Sequence, residues 1–185
     1  MVNITETIRA ALDNKRIAGG VFVDLQKAFD TVNHEILLHK LNYYGIRGTV
    51  HDWFASYLSN RTQYVSLLGF KSNVLNIRHG VPQGSVMGPL AFILYASPLS
   101  DVISAHCDVR HMVYADDTQL YIILHKDNIA GSVSSIEDCF KNVKDWACNN
   151  NLMLNSNKTE MVQVVSQFRK PGESATRTRH RWHGH

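Results

Sequence analysis

Apolar positions along the chain alternate between a helical period and a strand period, and that alternation predicts most of the elements. Ile4, Ile8, Ala11 and Leu12 keep helical spacing behind Asn3 and Glu6, which have the logic of a capping box. A helix is predicted from about residue 4 to 16, ended by Gly19-Gly20. Val21 to Leu25 is β-branched and aromatic with apolar residues on both faces, the pattern of a buried central strand, and Asp24 sits at its end. Gln26 to Asn33 reads as a turn with a short helix. A helix from Glu35 to Tyr44 follows, with Ile36, Leu37, Leu41 and Tyr44 facing inward and Gly45 ending it. Val50, Trp53, Phe54, Tyr57 and Leu58 mark an amphipathic helix whose aromatic stripe reads as core. A hairpin is predicted from residues 63–67 and 74–78, joined through 69–73.

Gly80-Val81-Pro82-Gln83-Gly84-Ser85 then imposes a specific loop, and Ser85 is placed to cap an apolar helix from Met87 to about Ile103. Strands are predicted at Val109–Val113 and Thr118–Leu124, around Tyr114-Ala115-Asp116-Asp117. Ser134 to Glu137 forms a second capping box and opens a helix to about Asn149. Strands at 152–155 and 159–165 close the ordered pattern. From Gln167 the periodicity dissolves, which divides the chain into a domain at 1–166 and a basic, disordered tail at 167–185. The elements around the acidic residues therefore run β-α-β-β-α-β, the order of an α+β, ferredoxin-like sheet with helical and hairpin insertions. In that topology the first two strands are parallel and end at the same edge.

The edge matters because of what ends there. Asp24 terminates the first strand, and Asp116 and Asp117 follow the second, 92 positions later in the case of Asp116. Two adjacent carboxylates at a hairpin tip repel each other, and such a tip would favour Asn-Gly or Asp-Gly. Hard divalent cations take carboxylate oxygens and remove the repulsion. A carboxylate cluster at a sheet edge suits two-metal phosphoryl transfer, with cations about 3.5–4 Å apart. Taken singly, each acid also has a plain reading: Asp24 as a helix cap, and the pair as solvation of a turn. The Gly80–Ser85 loop, leading into a helix N-terminus, could hold a phosphate.

Composition narrows the classes without choosing one. The chain has 185 residues, 44% of them hydrophobic, which is enough for a real core and suggests one domain. Formal charge is +3, from 19 Lys+Arg and 16 Asp+Glu. Five of those bases and one acid lie from Arg169 onward, so residues 1–168 hold 14 bases and 15 acids, a net of −1. The body is not a basic nucleic-acid module by charge alone. Cys107, Cys139 and Cys148 lack zinc-ligand spacing and read as reduced thiols of an intracellular protein, nuclear or cytoplasmic. The N-terminus has no secretory pattern. The longest apolar run, Val86 to Ser100, is broken by Pro89 and Pro98 and reads as too short for a bilayer, so no membrane partner is expected.

Four segments resemble one family in order and spacing, over about residues 18–165. Phe22 to His34 looks like the first catalytic motif of reverse transcriptases from non-LTR retrotransposons. Gly80 to Leu90 resembles their second, and Tyr114-Ala115-Asp116-Asp117 their third. Trp146 to Asn150, Leu154-Asn155 and Lys158-Thr159-Glu160 are similar to the fourth. The resemblance implies a polymerase palm that copies RNA into DNA. It implies that Asp24 and Asp116 coordinate two Mg²⁺ ions, with Mn²⁺ a possible substitute. Asp117 would support the site, and the Leu25 carbonyl would be a further ligand. Phe29 would be an aromatic gate under the incoming sugar, Gln83 and Gly84 would touch nucleotide and template, and Lys158 would lie near the triphosphate. The implied partners are an RNA template, a DNA primer and a dNTP.

The chain also departs from that family pattern. About twenty residues precede Asp24, so fingers motifs are expected to be largely missing, as are the primer grip and thumb after the fourth motif. A catalytically inactive remnant that at most binds metal or nucleic acid is the alternative.

Overall fold

The structure, a computed structural model, describes residues 4–14, 16–124, 126–164 and 177–181. The chain begins with α1 (Ile4–Asp13), β1 (Ile17–Val23), β2 (Leu25–Gln26), α2 (Ala28–Thr31), α3 (His34–Tyr43) and α4 (Thr49–Leu58). Four short strands follow, β3 (Thr62–Gln63), β4 (Ser66–Leu67), β5 (Phe70–Lys71) and β6 (Leu75–Asn76). Then come α5 (Met87–Ala96), α6 (Pro98–Ser104), β7 (Val109–Tyr114), β8 (Asp117–Leu124) and α7 (Ile129–Asn149). The last are β9 (Met153–Leu154), β10 (Glu160–Val164) and β11 (Arg177–Arg181). Where length suggested one domain, these elements fall into two compact units. The first takes residues 1–26, 98–149 and 153–185, and the second residues 27–97 and 150–152.

The first unit is a mixed sheet-and-helix layer structure. Its five-stranded sheet has the order β11-β10-β1-β8-β7, with antiparallel neighbours throughout. β1 and β7 both pair antiparallel with β8, so they run in the same direction with β8 between them. Val21 and Val23 of β1 join Leu120, Ile122 and Leu124 of β8, Leu99 and Ile103 of α6, and Ile136, Cys139 and Val143 of α7 in one buried cluster. The alternate sheet positions supply that cluster because successive side chains of a strand point to opposite faces. β1 is central as expected, but not apolar-buried on both faces: Phe22 points away and is 40% exposed.

Several boundaries differ from the sequence reading for local physical reasons. α1 stops at Asp13, and Gly19-Gly20 lie inside β1 instead of ending the helix. A Cβ on Gly20 would lie 3.3 Å from the Leu120 carbonyl oxygen, so a small residue suits this close strand approach. Asn3, the expected cap of α1, is outside the described residues. α7 starts at Ile129, ahead of the Ser134 capping box, because the Asn128 side chain accepts from Gly131 N at 3.0 Å and caps the helix first. Arg177–Arg181 pairs with β10, within the stretch expected to lack structure.

The second unit packs α3 against both α4 and α5. Leu37, Leu41, Phe54, Leu58, Phe92 and Tyr95 are buried there. The aromatic stripe of α4 is only half core: Phe54 and Leu58 are buried, whereas Val50 is 55% and Trp53 47% exposed. Tyr44, expected inward, is exposed. The predicted hairpin is present but tighter, turning at Leu68-Gly69, both at positive φ. The single helix expected over 87–103 is two, because Pro98 has no N–H to continue the α5 ladder. Met87–Ser104 is nonetheless long and apolar enough to cross a membrane by length and composition alone, which corrects the expectation of a run too short; 39% of that window is buried.

Tyr95 anchors the second unit. Its hydroxyl donates to the Asn150 carbonyl at 2.5 Å and accepts from Asn33 N at 3.4 Å. The Lys40 ammonium donates to the Tyr95 carbonyl at 2.6 Å and lies 4.3 Å from the Tyr95 ring centroid. Burial lowers Lys40 to about 8. The unfolded chain therefore binds more protons than the folded one from about pH 8 up to the ordinary lysine value, and stability rises with pH over that interval. Burial raises the Cys139 thiol to about 11, which acts in the opposite sense above about pH 9. Urea unfolding is thus expected to show stability increasing between about pH 8 and pH 9, and Lys40→Met to flatten that rise.

Candidate functional site

Strand register brings the acidic residues to one edge of the first unit. β1 pairs with β8 from Ile17↔Leu124 to Val23↔Thr118. The last pair, Val23↔Thr118, leaves Asp24 just beyond the end of β1 and Asp117 at the first position of β8. Tyr114 and Asp117 close the β7–β8 hairpin, leaving Ala115 and Asp116 as its two turn residues. Ala115 carries φ +54, a left-handed conformation that alanine adopts at a cost of order 1 kcal/mol. Asp117 is exposed, and Asp116 and Asp24 are half-buried.

Asp24 is where the chain changes partner. β1 ends at Val23, and β2 begins at Leu25 by pairing with β9 through Leu25↔Leu154. Leu25, the expected carbonyl ligand, is itself buried in that pairing. Asn155 holds the junction: its backbone N–H donates to the Asp24 carbonyl at 2.8 Å, and its Nδ2 donates to Asp24 Oδ2 at 2.9 Å. The Asn155 carbonyl accepts from Lys158 N at 3.0 Å and Thr159 N at 2.9 Å, so the turn that carries Lys158 is built on Asn155. Lys158 Nζ consequently stands 3.8 Å from Asp24 Oδ2. Lys158 is two-thirds exposed, so solvent screens this pair strongly.

The side chains are less gathered than the backbone. Among the described residues, no group of three or more His, Cys, Asp or Glu side chains is arranged to hold a metal ion. The expected meeting of three carboxylates at one point is corrected to that extent. Asp24 turns one carboxylate oxygen toward Asn155 and Lys158 rather than toward a shared acidic cluster. The donor chemistry still suits a hard divalent cation, since Asp24, Asp116 and Asp117 are carboxylate oxygen donors near the same end of the β1–β8 pairing.

Phe29, Gln83 and Gly84 belong to the second unit, where the segments on either side of α3 and α4 are laced together. Val81 N donates to the Phe29 carbonyl at 2.8 Å and Gly80 N to the Val32 carbonyl at 2.7 Å. His34 Nε2 bonds the Gly80 carbonyl at 2.7 Å, and Asn33 bridges to His79. Gly80 has φ +87, and a Cβ there would lie 2.8 Å from the Asp30 carbonyl oxygen, so only glycine fits this approach. Gln83 Nε2 donates to Asp30 Oδ1 at 2.8 Å. The half-buried Phe29 ring rests on Phe92, centroids 4.9 Å apart. Gly84, exposed at φ +79, turns the loop. Ser85 Oγ accepts from Gly88 N at 3.0 Å, so it takes up one helix donor that had been a candidate for phosphate.

Asn155 and Asp30 stand in the motif segments, yet their roles are not readable there. A short polar residue in a turn has no signal that distinguishes a partner of Asp24 from a solvated side chain. Asn155→Ala removes a hydrogen bond to a charged group and is expected to cost roughly 1–3 kcal/mol in urea unfolding. Asn155→Asp would set two carboxylates face to face, and its loss is expected to be larger at neutral pH than in acid, where the carboxyls are protonated.

Residues 2–179 match the family described as reverse transcriptase (RNA-dependent DNA polymerase). The chain is 34% identical over 163 residues to the RNA-directed DNA polymerase from mobile element jockey of Drosophila melanogaster, which covers 85% of this chain and 17% of that protein. It is 31% identical over 176 residues to the probable RNA-directed DNA polymerase from transposon X-element of the same fly, covering 91% and 18%. The chain thus spans less than a fifth of the length of these curated relatives. In fold it is similar to apo telomerase from Candida tropicalis truncated from the C-terminal domain, with TM-score 0.62 and 14% identity over 94% of this chain and 37% of that one. Family match and relatives converge: the chain belongs to the reverse transcriptase family, in the branch carried by non-LTR retrotransposons.

Proposed function

We propose that this chain is the palm of an RNA-directed DNA polymerase, a ferredoxin-like α+β module that joins a dNTP to a primer 3′-hydroxyl on an RNA template. The observation that supports the reading is the strand register: the β1–β8 pairing ends at Val23↔Thr118, next in sequence to Asp24 and Asp117, and Asp116 lies in the adjoining β7–β8 turn. The strand order β10-β1-β8-β7 supports the ferredoxin-like assignment, being fourth, first, third and second among the strands of that motif. Three unpaired cysteines support an intracellular setting.

Asp24 and Asp116, with Asp117 beside them, are the residues that would hold a divalent cation, with the Leu25 carbonyl as a further donor. When bound, such cations neutralise phosphate charge and sharpen the attacking hydroxyl. The protein's own share is positional. Asn155 keeps the Asp24 carboxylate oriented. Phe29, set on Phe92, presents an aromatic edge suited to a sugar, and Gln83, steadied by Asp30, presents an amide suited to a nucleotide. Lys158 supplies a cation beside Asp24 that can move to a triphosphate when the carboxylate is otherwise occupied.

One observation favours the alternative, a remnant without activity: the Asp24 carboxylate is already engaged by Asn155 and Lys158, and the acids form no ready cluster among the described residues. Primer extension on an RNA template with Mg²⁺ separates the two. The polymerase reading expects dNTP incorporation that falls by at least about 100-fold in Asp116→Asn, the scale of losing one preorganised charge-stabilising group. Incorporation that survives this change removes the acidic edge from catalysis, and no incorporation by the unaltered chain favours the remnant.

A further inference from the structure

The second unit contains a cleft of about 610 Å³ between the base of the β3–β6 hairpin and the Gly80–Gln83 loop. Lys27, Arg61, Arg78 and His79 line it, and Asp30 is its one acid. Three permanent cations in one cleft stand out in a body of 14 bases and 15 acids. Asp30, whose Oδ1 accepts from the Gln83 amide, offsets one of those charges, and none of the three cations is in an ion pair with a described residue. Three cations against one acid leave the cleft net positive, and an anionic ligand relieves the remaining repulsion.

Arg61 is also preorganised. Its Nε donates to the Tyr57 carbonyl at 2.7 Å, and its guanidinium lies 4.6 Å from the Tyr57 ring centroid. That contact fixes the plane of the group while its terminal amines stay available, the arrangement suited to a phosphate. Ile77 N donates to the Arg61 carbonyl at 2.8 Å, which ties the two strands of the hairpin base together and brings Arg78 beside Arg61 along the chain path. The loop wall is tied down by Gly80 N on the Val32 carbonyl and Val81 N on the Phe29 carbonyl.

We propose that this cleft binds the phosphate chain of a nucleotide, with Arg61 and Arg78 as the clamp and Lys27 as a third cation. The charge points to an anion and the fork of Arg61 suits a phosphate; that the phosphates belong to a nucleic-acid strand or a nucleoside triphosphate rests on the polymerase reading above. The test measures fluorescence anisotropy of a labelled single-stranded RNA titrated with the full chain in EDTA, so that the acidic edge takes no part. Arg61→Ala/Arg78→Ala is expected to weaken binding at least about 10-fold and to lower the salt slope by about 1.4, for two strand phosphates. Arg78→Gln alone, which removes no hydrogen bond or ion pair to a described residue, is expected to lower the slope by about 0.7 and guards against a folding defect at Arg61. Lys71→Ala, on the same hairpin but outside the cleft, is the charge control.

Tripolyphosphate and a dNTP are added as competitors. Displacement of RNA by both assigns the cleft to a triphosphate, and retention of RNA assigns it to a strand backbone. Equal affinity and slope for Arg78→Gln, Lys71→Ala and the unaltered chain would overturn the proposal, as would RNA binding too weak to measure. The polymerase reading is judged separately, by loss of extension in Asp116→Asn, so either can fail alone.

Discussion

The antiparallel register of β1 on β8 is the constraint on which the first unit depends. Seven consecutive pairs hold it, from Ile17↔Leu124 to Val23↔Thr118. Because side chains alternate across a strand, a slip of one residue would exchange Val21 and Val23 for Phe22 and Gly20 on the core face. It would also shift Asp24 relative to the β7–β8 turn. Burial of the valines and the point at which β1 ends beside Asp24 are therefore one event, set by hydrophobic packing against α6 and α7.

A charged residue at the end of a central strand needs partners. Asp24 finds them at the β9 turn, where Asn155 donates to its carbonyl from the backbone and to Oδ2 from the side chain. This explains why the chain leaves the five-stranded sheet at Asp24 and re-pairs at Leu25. The same turn delivers Lys158, so one asparagine organises an acid and a base that lie 134 residues apart.

The second unit works by a different device, the lacing of residues 29–34 to residues 79–83. Backbone donors of Gly80 and Val81 do most of it, and Gly80 permits it by having no Cβ. The consequence is electrostatic. A chain whose body is nearly neutral concentrates Lys27, Arg61 and Arg78 around one concavity, with the adjacent acid held by Gln83. Charge counted along a sequence averages over this arrangement.

Several features were legible in residue order. Periodicity and breakers located β1, β7, β8, α3 and α4 to within a few residues, and the motif segments around Asp24, Gly80 and Asp116 identified the family. Local competition hid others. The cap at Asn128 outran the box at Ser134, Pro98 split a continuous apolar run, and Trp53 kept a helical spacing while facing solvent. Periodicity reports which positions share a face, not whether another element covers that face.

By itself the sequence determined the element types, the order of the acidic and glycine-rich segments, and hence the kinship. Tertiary structure decided the division into two units, the β1–β8 register that ends beside Asp24, the capture of Asp24 by Asn155 and Lys158, and the cationic cleft. The reason is separation along the chain. Backbone preferences act over a few residues, whereas each of these features joins groups tens of positions apart, whose meeting depends on strand register and packing rather than on any local residue choice.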